Sequence, residues 1–496
     1  HLYYLIIIKS KQVIKMNFEF KTQPFNHQRT ALEDSWAAEH YALLMEMGTG
    51  KTKVALDTMS MLYEQDRINA CVVIAPKGVY DNWSRGEIPA HVPDRIERII
   101  LRWTPNSSKK YKEEVDAFFK DDSGALKIFV INTEAFSTAR ATQIVYEFCK
   151  KHLNNLVIVD ESTTIKNRKA LRTKNIIGLR KLSKYRRILT GSPITKSPMD
   201  LFSQCLFLSP DALGFNSYYG FQNRYSIVVK RTMGAKSFQE ITGYRRLEEL
   251  TEKLERFSNR VLKKDCLDLP DKVYIKRNVP LTPDQTKLYV QMQKLALAKL
   301  ANGELATTAS VLTQIMRLQQ ICCGFLQPDD GEIQSIPSGR LDSMMEVTDE
   351  LQGKAIIWAT YTHDITSIAK ALRDKFGYDA VATYYGATEQ DERQDIVTRF
   401  QDPDSPLRFF IGQPKTGGYG ITLTAADTVI YYSNSYDLEI RLQSEDRAHR
   451  IGQKKSVTYI DLVSPSTIDE KILEALRNKI NIAGKVLNED TKGWLQ

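Results

Sequence analysis

The sequence predicts an α/β fold: two parallel-sheet lobes, a helical insert between them and a helix at the C-terminal end. Three observations point there. With 496 residues the chain is too long to close around one ordinary core, so two or more domains are expected. Short apolar runs recur in two series, each run followed by a turn and a helical pattern, as expected of strands buried on both faces in a parallel sheet. Between the two series, roughly 210–345, the sequence turns polar and helix-rich, with few β-type runs.

In chain order, the opening HLYYLIIIKSKQVIKMNFEF carries an apolar run at 2–8 that is too short to span a membrane. It lacks the preceding basic segment and the following small-residue cleavage site of a signal peptide. Met16 is the better natural start, so 1–15 are set aside as an upstream segment. The first series of strands is ALLMEMGTGK (42–51), ACVVIAPKG (70–78), KIFVINTE (127–134), NLVIVDES (155–162) and RRILTGSP (186–193). The second is KAIIWATY (354–361), DAVATYYG (379–386), LRFFIGQP (407–414), DTVIYYS (427–433) and VTYIDLV (457–463). The tail TIDEKILEALRNKINIAGKVL (467–487) has helical spacing and opens on a capping-type Thr-x-x-Glu.

Composition narrows the function classes. Hydrophobic content of 42% and charged content of 26% are those of an ordinary soluble protein. A net charge of +9 and a pI near 9.0 lean toward a polyanionic partner. The six cysteines contain no C-x-x-C pair, and Cys322 and Cys323 are adjacent, a poor geometry for sharing one metal. Neither a zinc site nor a disulfide framework is expected, and a reducing compartment fits. With no further long apolar run, no membrane partner is expected.

Three motifs carry chemistry. MEMGTGKT (45–52) lies between an apolar strand and a helical pattern, where Gly48, Thr49 and Gly50 let backbone N–H groups curl round a phosphate. Lys51 would reach the β- and γ-phosphates, and the Thr52 hydroxyl would take a Mg²⁺ ligand position. The strict pattern places a glycine where Met45 stands, and a purely structural glycine turn is the alternative reading. Asp160 and Glu161 end the run NLVIVDE, at the strand end where doubly wound sheets bind ligands. Asp160 would hold Mg²⁺, and Glu161 would orient and deprotonate an attacking water. Alone, such a pair serves equally as a helix N-cap. Finally, QSEDRAHRIGQ (443–453) sets Arg447 and Arg450 three positions apart on one helix face, ringed by Gln443, Asp446, His449 and Gln453. In isolation that is a solvated charged helix.

Together, the order and wording of these segments resemble the Swi/Snf family of superfamily-two helicase-related ATPases. NHQRTALEDSW, with Gln28, resembles its adenine-reading segment; MEMGTGKT resembles motif I; VVIAPKGVYDNWSRG and INTEAF resemble motifs Ia and Ib. DESTTIKN resembles motif II, LTGSPITKSPMDLFSQCLFLSP motif III, and RVLKKDCLDLPDKVYIKRNVPLTPDQTKLY the linker and second protrusion. YYGATEQDERQDIVTRFQ, KTGGYGITLTAADTVIYYSNSYD and QSEDRAHRIGQ resemble the later motifs, so the likeness runs from about 24 to 485. There are departures. The family usually has an aspartate where Met45 or Glu46 stands, and a histidine where Thr163 stands. That histidine helps join hydrolysis to the second lobe, so the strength of coupling is open.

The resemblance implies two RecA-like lobes: an ATP-binding lobe with a first helical protrusion over 16–255, a linker and second protrusion over 256–345, and a C-terminal helicase lobe with a terminal brace helix over 346–496. It implies ATP and Mg²⁺, with Lys51, Glu161, Arg447 and Arg450 catalytic and Thr52 and Asp160 on the metal. Gln28, the loop 48–52, Gly420 and the two arginines would hold the nucleotide. The arginines would then face ATP bound by the other lobe, so catalysis requires closure. Nucleic acid would meet Lys77, Tyr361, Lys415, Thr416 and Gly417. Trp83 is either a further contact or a packed indole, and the basic run RKLSKYRR (180–187) either a contact or a solvated helix face.

The leading functional expectation is an ATP-dependent translocase on double-stranded DNA, remodelling protein–DNA or branched DNA structures, with DNA-bound proteins as further partners. The alternatives are a strand-separating or annealing DNA or RNA helicase and, from another class, an ATP-gated nucleic-acid clamp with little hydrolysis. No strand-splitting pin or accessory domain is recognisable in the sequence. A near-bare monomeric motor is expected, cytoplasmic in a prokaryotic or viral setting and nuclear in a eukaryotic one.

Overall fold

A computed structural model of the chain describes residues 18–489 except 78, 106–107, 234–235, 302–307, 329–330 and 418–420. The first lobe contains β1 (His40–Met45), β2 (Ala70–Ala75), β3 (Arg98–Arg102), β4 (Leu126–Asn132), β5 (Asn155–Asp160) and β6 (Tyr185–Leu189). An antiparallel pair, β7 (Ser226–Met233) and β8 (Lys236–Tyr244), precedes β9 (Ser258–Val261). The main sheet runs β3-β4-β2-β5-β6-β1-β9, with every pairing parallel. Strands β2 and β5 are buried along their whole length, as a sheet covered on both faces requires. Their side chains alternate between two cores: Val72, Ile74, Val157 and Val159 on one face, Cys71, Val73, Leu156 and Ile158 on the other.

The chain then continues through β10 (Lys272–Asn278), a small pair β11 (Phe325–Leu326) and β12 (Gln334–Ser335), β13 (Lys354–Trp358), β14 (Val381–Tyr384), β15 (Phe409–Gly412), β16 (Ala426–Tyr431) and β17 (Val457–Val463). The second sheet is β10-β17-β16-β13-β15-β14, again parallel throughout. Helices Pro283–Ala301 and Thr308–Cys323 stand between the lobes in sequence. No helix among the described residues is long and apolar enough to cross a membrane.

The stretch 210–345 is richer in strands than its composition predicts, since β7 to β12 all lie within it. β9 adds an edge to the first sheet and β10 an edge to the second, inside the segment expected to be linker. The reason is exposure. β10, KVYIKRN, lies at a sheet edge with little of its surface covered, so charged residues alternate into it and its period-two pattern is diluted. The hairpin β7–β8 is an accessory element that the sequence did not announce.

The final helix, Ile468–Leu487, begins as expected at Thr467, whose hydroxyl accepts the Asp469 N–H at 3.2 Å. Glu470 reaches back to the Ser466 N–H at 2.8 Å, completing the cap one residue earlier than a capping box would. Its first half packs Ile472, Leu473 and Leu476 against Leu438 and Val463 of the second lobe. Its last turns put Ala483 and Val486 into the first lobe's core, so one rod touches both lobes.

Candidate active site

The phosphate loop begins later than the strict motif suggests. Met45 is the last residue of β1, wholly buried and paired with Val261, so a glycine there has no turn to make. The turn starts at Glu46, whose carboxylate accepts the Lys263 N–H at 2.6 Å and so ties the loop to the inter-lobe linker. Gly48 and Gly50 have φ of 78° and 88°, in the left-handed region. A Cβ on Gly50 would also lie 2.0 Å from Gln28 Nε2. Helix Lys51–Glu64 follows directly, aiming its N-terminal N–H groups and positive end at the loop.

The acidic pair stands opposite. Lys51 Nζ is 3.2 Å from Glu161 Oε1, with both side chains almost enclosed. Asp160 closes β5, and its carboxylate accepts the Glu161 N–H at 3.0 Å and the Trp83 indole N–H at 2.8 Å. Burial raises the carboxyls of both Asp160 and Glu161, and the Lys51 ammonium opposes the rise. Glu161 has φ 44°, a conformation that a non-glycine residue adopts at a cost and that often marks a functional turn. Trp83 is therefore a buried indole, 1% exposed, and not a surface contact. Its role in orienting Asp160 was missed, because packing and surface contact were the alternatives its sequence context suggested.

Gln28 sits on helix Asn26–Ser35 against the loop. Its Oε1 accepts the Phe25 N–H at 3.0 Å and its Nε2 donates to Thr49 O at 3.1 Å. A carboxamide so held keeps a second N–H and a further lone pair, one donor and one acceptor for a purine edge. His27 also reaches Thr49 O, at 2.8 Å.

The second lobe completes the cleft. Arg447 and Arg450 line the same cavity, of about 520 Å³, as Gln28, Lys51, Thr52, Asp160 and Glu161. Arg447 donates from Nε to Gln443 O at 2.9 Å and from Nη1 to Ile421 O at 3.0 Å, and Asp446 lies 3.6 Å from its Nη2. Arg450 donates to Ile421 O at 3.4 Å. Burial lowers the Arg450 pKa, opposed by Glu87 of the first lobe. Gln443 Oε1 is buried with no hydrogen-bond partner among the described residues, an acceptor on the cavity wall.

Further cross-lobe bonds have no sequence signature. Glu439, on helix Leu438–Glu445, accepts Thr163 Oγ1 at 2.7 Å and Lys166 Nζ at 2.8 Å. The residue standing where the resemblance leads one to expect histidine thus touches the second lobe directly. Lys263, from the linker, is buried between Asp446 and the His449 carbonyl.

The other residues singled out by sequence fall differently. Lys77 and Lys415 are exposed, and Thr416 is half-buried in the short helix Pro414–Gly417. Gly417 is buried against Trp358, where a Cβ would meet the indole at 2.7 Å. Tyr361 is half-buried, and its hydroxyl donates to Gln319 Oε1 at 2.9 Å. Gly420 lies outside the described residues. In RKLSKYRR, Arg187 is wholly buried, with Nη2 donating to the carbonyls of Ser35, Trp36 and Ala38 at the end of helix Asn26–Ser35, so this part of the run is neither solvated nor a contact.

Two family models match the chain. A model of the SNF2-related domain matches residues 27–325, and one of the helicase conserved C-terminal domain matches 339–452. The transcription regulatory protein SNF2 of Saccharomyces cerevisiae is 28% identical over 466 residues, covering 89% of this chain and 26% of that protein. The chromatin structure-remodeling complex subunit snf21 of Schizosaccharomyces pombe is 28% identical over 471 residues, covering 89% of this chain and 37% of that protein. The chain thus spans well under half the length of these relatives. A solved Sulfolobus solfataricus SWI2/SNF2 ATPase core in complex with dsDNA is 25% identical, with 95% of each chain covered and a TM-score of 0.43.

Proposed function

The chain belongs to the SNF2-related family, and from that premise we propose that it is an ATP-dependent translocase on double-stranded DNA that remodels protein–DNA or branched DNA structures. The observation that carries the reading is the meeting, in one cavity, of Lys51, Asp160 and Glu161 from the first lobe with Arg447 and Arg450 from the second.

In the proposed reaction, ATP and water give ADP and phosphate. Gln28 holds the purine, and Lys51 and the loop N–H groups hold the β- and γ-phosphates. Glu161 takes the proton of the attacking water as the bond from the γ-phosphorus to the bridging oxygen breaks. Arg447 and Arg450 neutralise charge on the γ-oxygens. Thr52 and Asp160 form an all-oxygen donor set that fits Mg²⁺, since Asp160 is buried with its two known donors leaving lone pairs free. When bound, the ion neutralises charge on the β- and γ-oxygens. Bonds from Thr163 and Lys166 to Glu439 link motif II to the second lobe, so hydrolysis and lobe closure are coupled without the usual histidine.

DNA is supported as the track by the basic balance of the chain and by exposed Lys77 and Lys415. Phosphate contacts of this kind carry no sequence code, which suits a motor stepping over any sequence. The test is displacement of a third strand from a triplex, with a forked duplex in parallel. ATP-dependent displacement without fork separation is expected. Efficient fork separation would favour the helicase reading, and DNA binding with no ATP turnover the clamp.

A further inference from the structure

The hairpin β7–β8 belongs to neither main sheet. Its strands pair from Ser226 with Tyr244 to Met233 with Lys236. Only its base is covered: Ser226 is buried, and Ile241 packs against the first lobe's core. Beyond that base, Val229, Lys230, Arg231 and Thr232 on one strand and Gln239 and Glu240 on the other are exposed. The described side chains of the ribbon's outer half therefore leave both of its faces in solvent.

Its charge is one-sided. Between 224 and 246 stand six basic residues, Arg224, Lys230, Arg231, Lys236, Arg245 and Arg246, against one carboxylate, Glu240. Arg224 is held by Glu249 in the adjoining helix, and Arg231 by Glu240 across the hairpin at 2.7 Å. The second pair is solvent-exposed, so it is weak and exchangeable for a phosphate.

The root of the hairpin joins the motor's working parts. β7 follows helix Tyr218–Tyr225 directly, and the Arg168 guanidinium lies 4.1 Å from the ring centroid of Tyr218. Arg168 is two residues beyond Lys166, which bonds Glu439 in the second lobe.

We infer that the hairpin Ser226–Tyr244 is a second contact with the phosphate backbone of duplex DNA, made by Lys230 and Arg231 outside the groove between the lobes. This rests on the reading of DNA as the track. It adds affinity and grip without touching ATP chemistry, since none of its residues lines the nucleotide cavity. Apart from Ile227 and Val229, the exposed described side chains of the ribbon are polar or charged, and a cationic two-stranded ribbon of this kind fits a charged cylinder better than it fits an apolar protein surface.

The experiment uses the full chain and a blunt duplex, with affinity measured from about 50 to 200 mM salt, and compares wild type with Lys230→Ala/Arg231→Ala, Glu240→Gln and a control, Lys110→Ala/Lys112→Ala, at exposed lysines of helix Lys109–Lys120. The double hairpin variant should lower the slope of log affinity against log salt by about 1.8, roughly 0.9 for each lost phosphate contact. Wild type would then lose about twelve-fold more affinity than the variant across that range. Glu240→Gln should tighten binding, because it frees Arg231. ATPase at saturating duplex should match wild type in all of these. A double variant with the wild-type slope overturns the hairpin contact while leaving the DNA reading intact, as does an equal loss in the control. A wild type that binds no duplex overturns both. Hairpin-dependent binding of RNA in place of duplex DNA overturns the choice of ligand.

Discussion

Glu439→Ala removes the carboxylate that joins motif II to the second lobe. In the structure that carboxylate accepts a hydroxyl bond from Thr163 at 2.7 Å and an ammonium bond from Lys166 at 2.8 Å. The ionic pair is well enclosed, with side chains 12% and 18% exposed, so solvent screens it only partly. A hydrogen bond to a charged group contributes roughly 1.5–3 kcal/mol and an ordinary one about 1. Losing both would destabilise the closed arrangement by about 3 kcal/mol, and DNA-stimulated turnover should fall roughly 100-fold. Nucleotide affinity without DNA should hold, because Glu439 does not line the cavity. Glu439→Gln keeps an acceptor for Thr163 and loses the ionic pair, about 2 kcal/mol, so it should fall roughly thirty-fold. Thr163→Val should cost several-fold alone and nothing further in the Glu439→Ala background, a non-additivity measurable as a double-mutant cycle. Steady-state ATPase at saturating duplex, beside binding of a non-hydrolysable analogue, is the assay. Wild-type turnover in Glu439→Ala, or full additivity with Thr163→Val, would refute the cross-lobe role.

Lys51→Ala should abolish turnover by removing the γ-phosphate's cradle, whereas Glu161→Gln should bind ATP and fail to hydrolyse it, checked by nucleotide binding beside single-turnover hydrolysis. Arg447→Ala and Arg450→Ala should each leave nucleotide affinity nearly intact and lower maximal rate by up to about 10³–10⁵-fold, the range for such arginines elsewhere, with Arg→Lys a poor rescue. Stability should fall in mild acid through His449. Burial, with Lys272 and Lys263 adding to it against Glu445 and the Pro270 carbonyl, lowers its pKa from 6.5 to about 4. The unfolded chain then binds a proton that the folded one refuses, so the contribution is full above pH 6.5 and is lost as pH falls toward 4. His449→Gln should flatten the melting temperature across that window, as followed by thermal unfolding.

Much of the site was legible because phosphate chemistry constrains the sequence locally. Gly48 to Thr52 must be a loop followed by a helix, and Asp160 and Glu161 must end a strand, so type and spacing suffice. The two arginines were legible as a pair, but they lie in the turn after helix Leu438–Glu445 and not on one helix face as expected, and only the resemblance placed them across a cleft from Lys51. What was not legible depends on contacts between distant segments. Trp83 bonds Asp160 across 77 positions and Thr163 bonds Glu439 across 276, and neither side chain has a local pattern that announces its partner. The sheets followed from runs buried on both faces. β3, RIILR, was passed over because arginines flank three apolar residues, and β7 to β10 because exposed or edge strands carry charge. Arg187 shows the opposite failure: in a run of basic residues, one is wholly enclosed by backbone carbonyls.

The central claim is that duplex DNA drives the second lobe's arginines onto ATP held by the first. The most direct measurement is steady-state ATPase of the wild-type chain with no nucleic acid, duplex DNA, single-stranded DNA and RNA, each at low and high salt. Duplex DNA should stimulate turnover most, the stimulation should fade as salt rises because phosphate contacts release counterions, and Arg450→Ala should abolish it. Equal rates with and without duplex at low salt, or stimulation by RNA alone, would contradict the account.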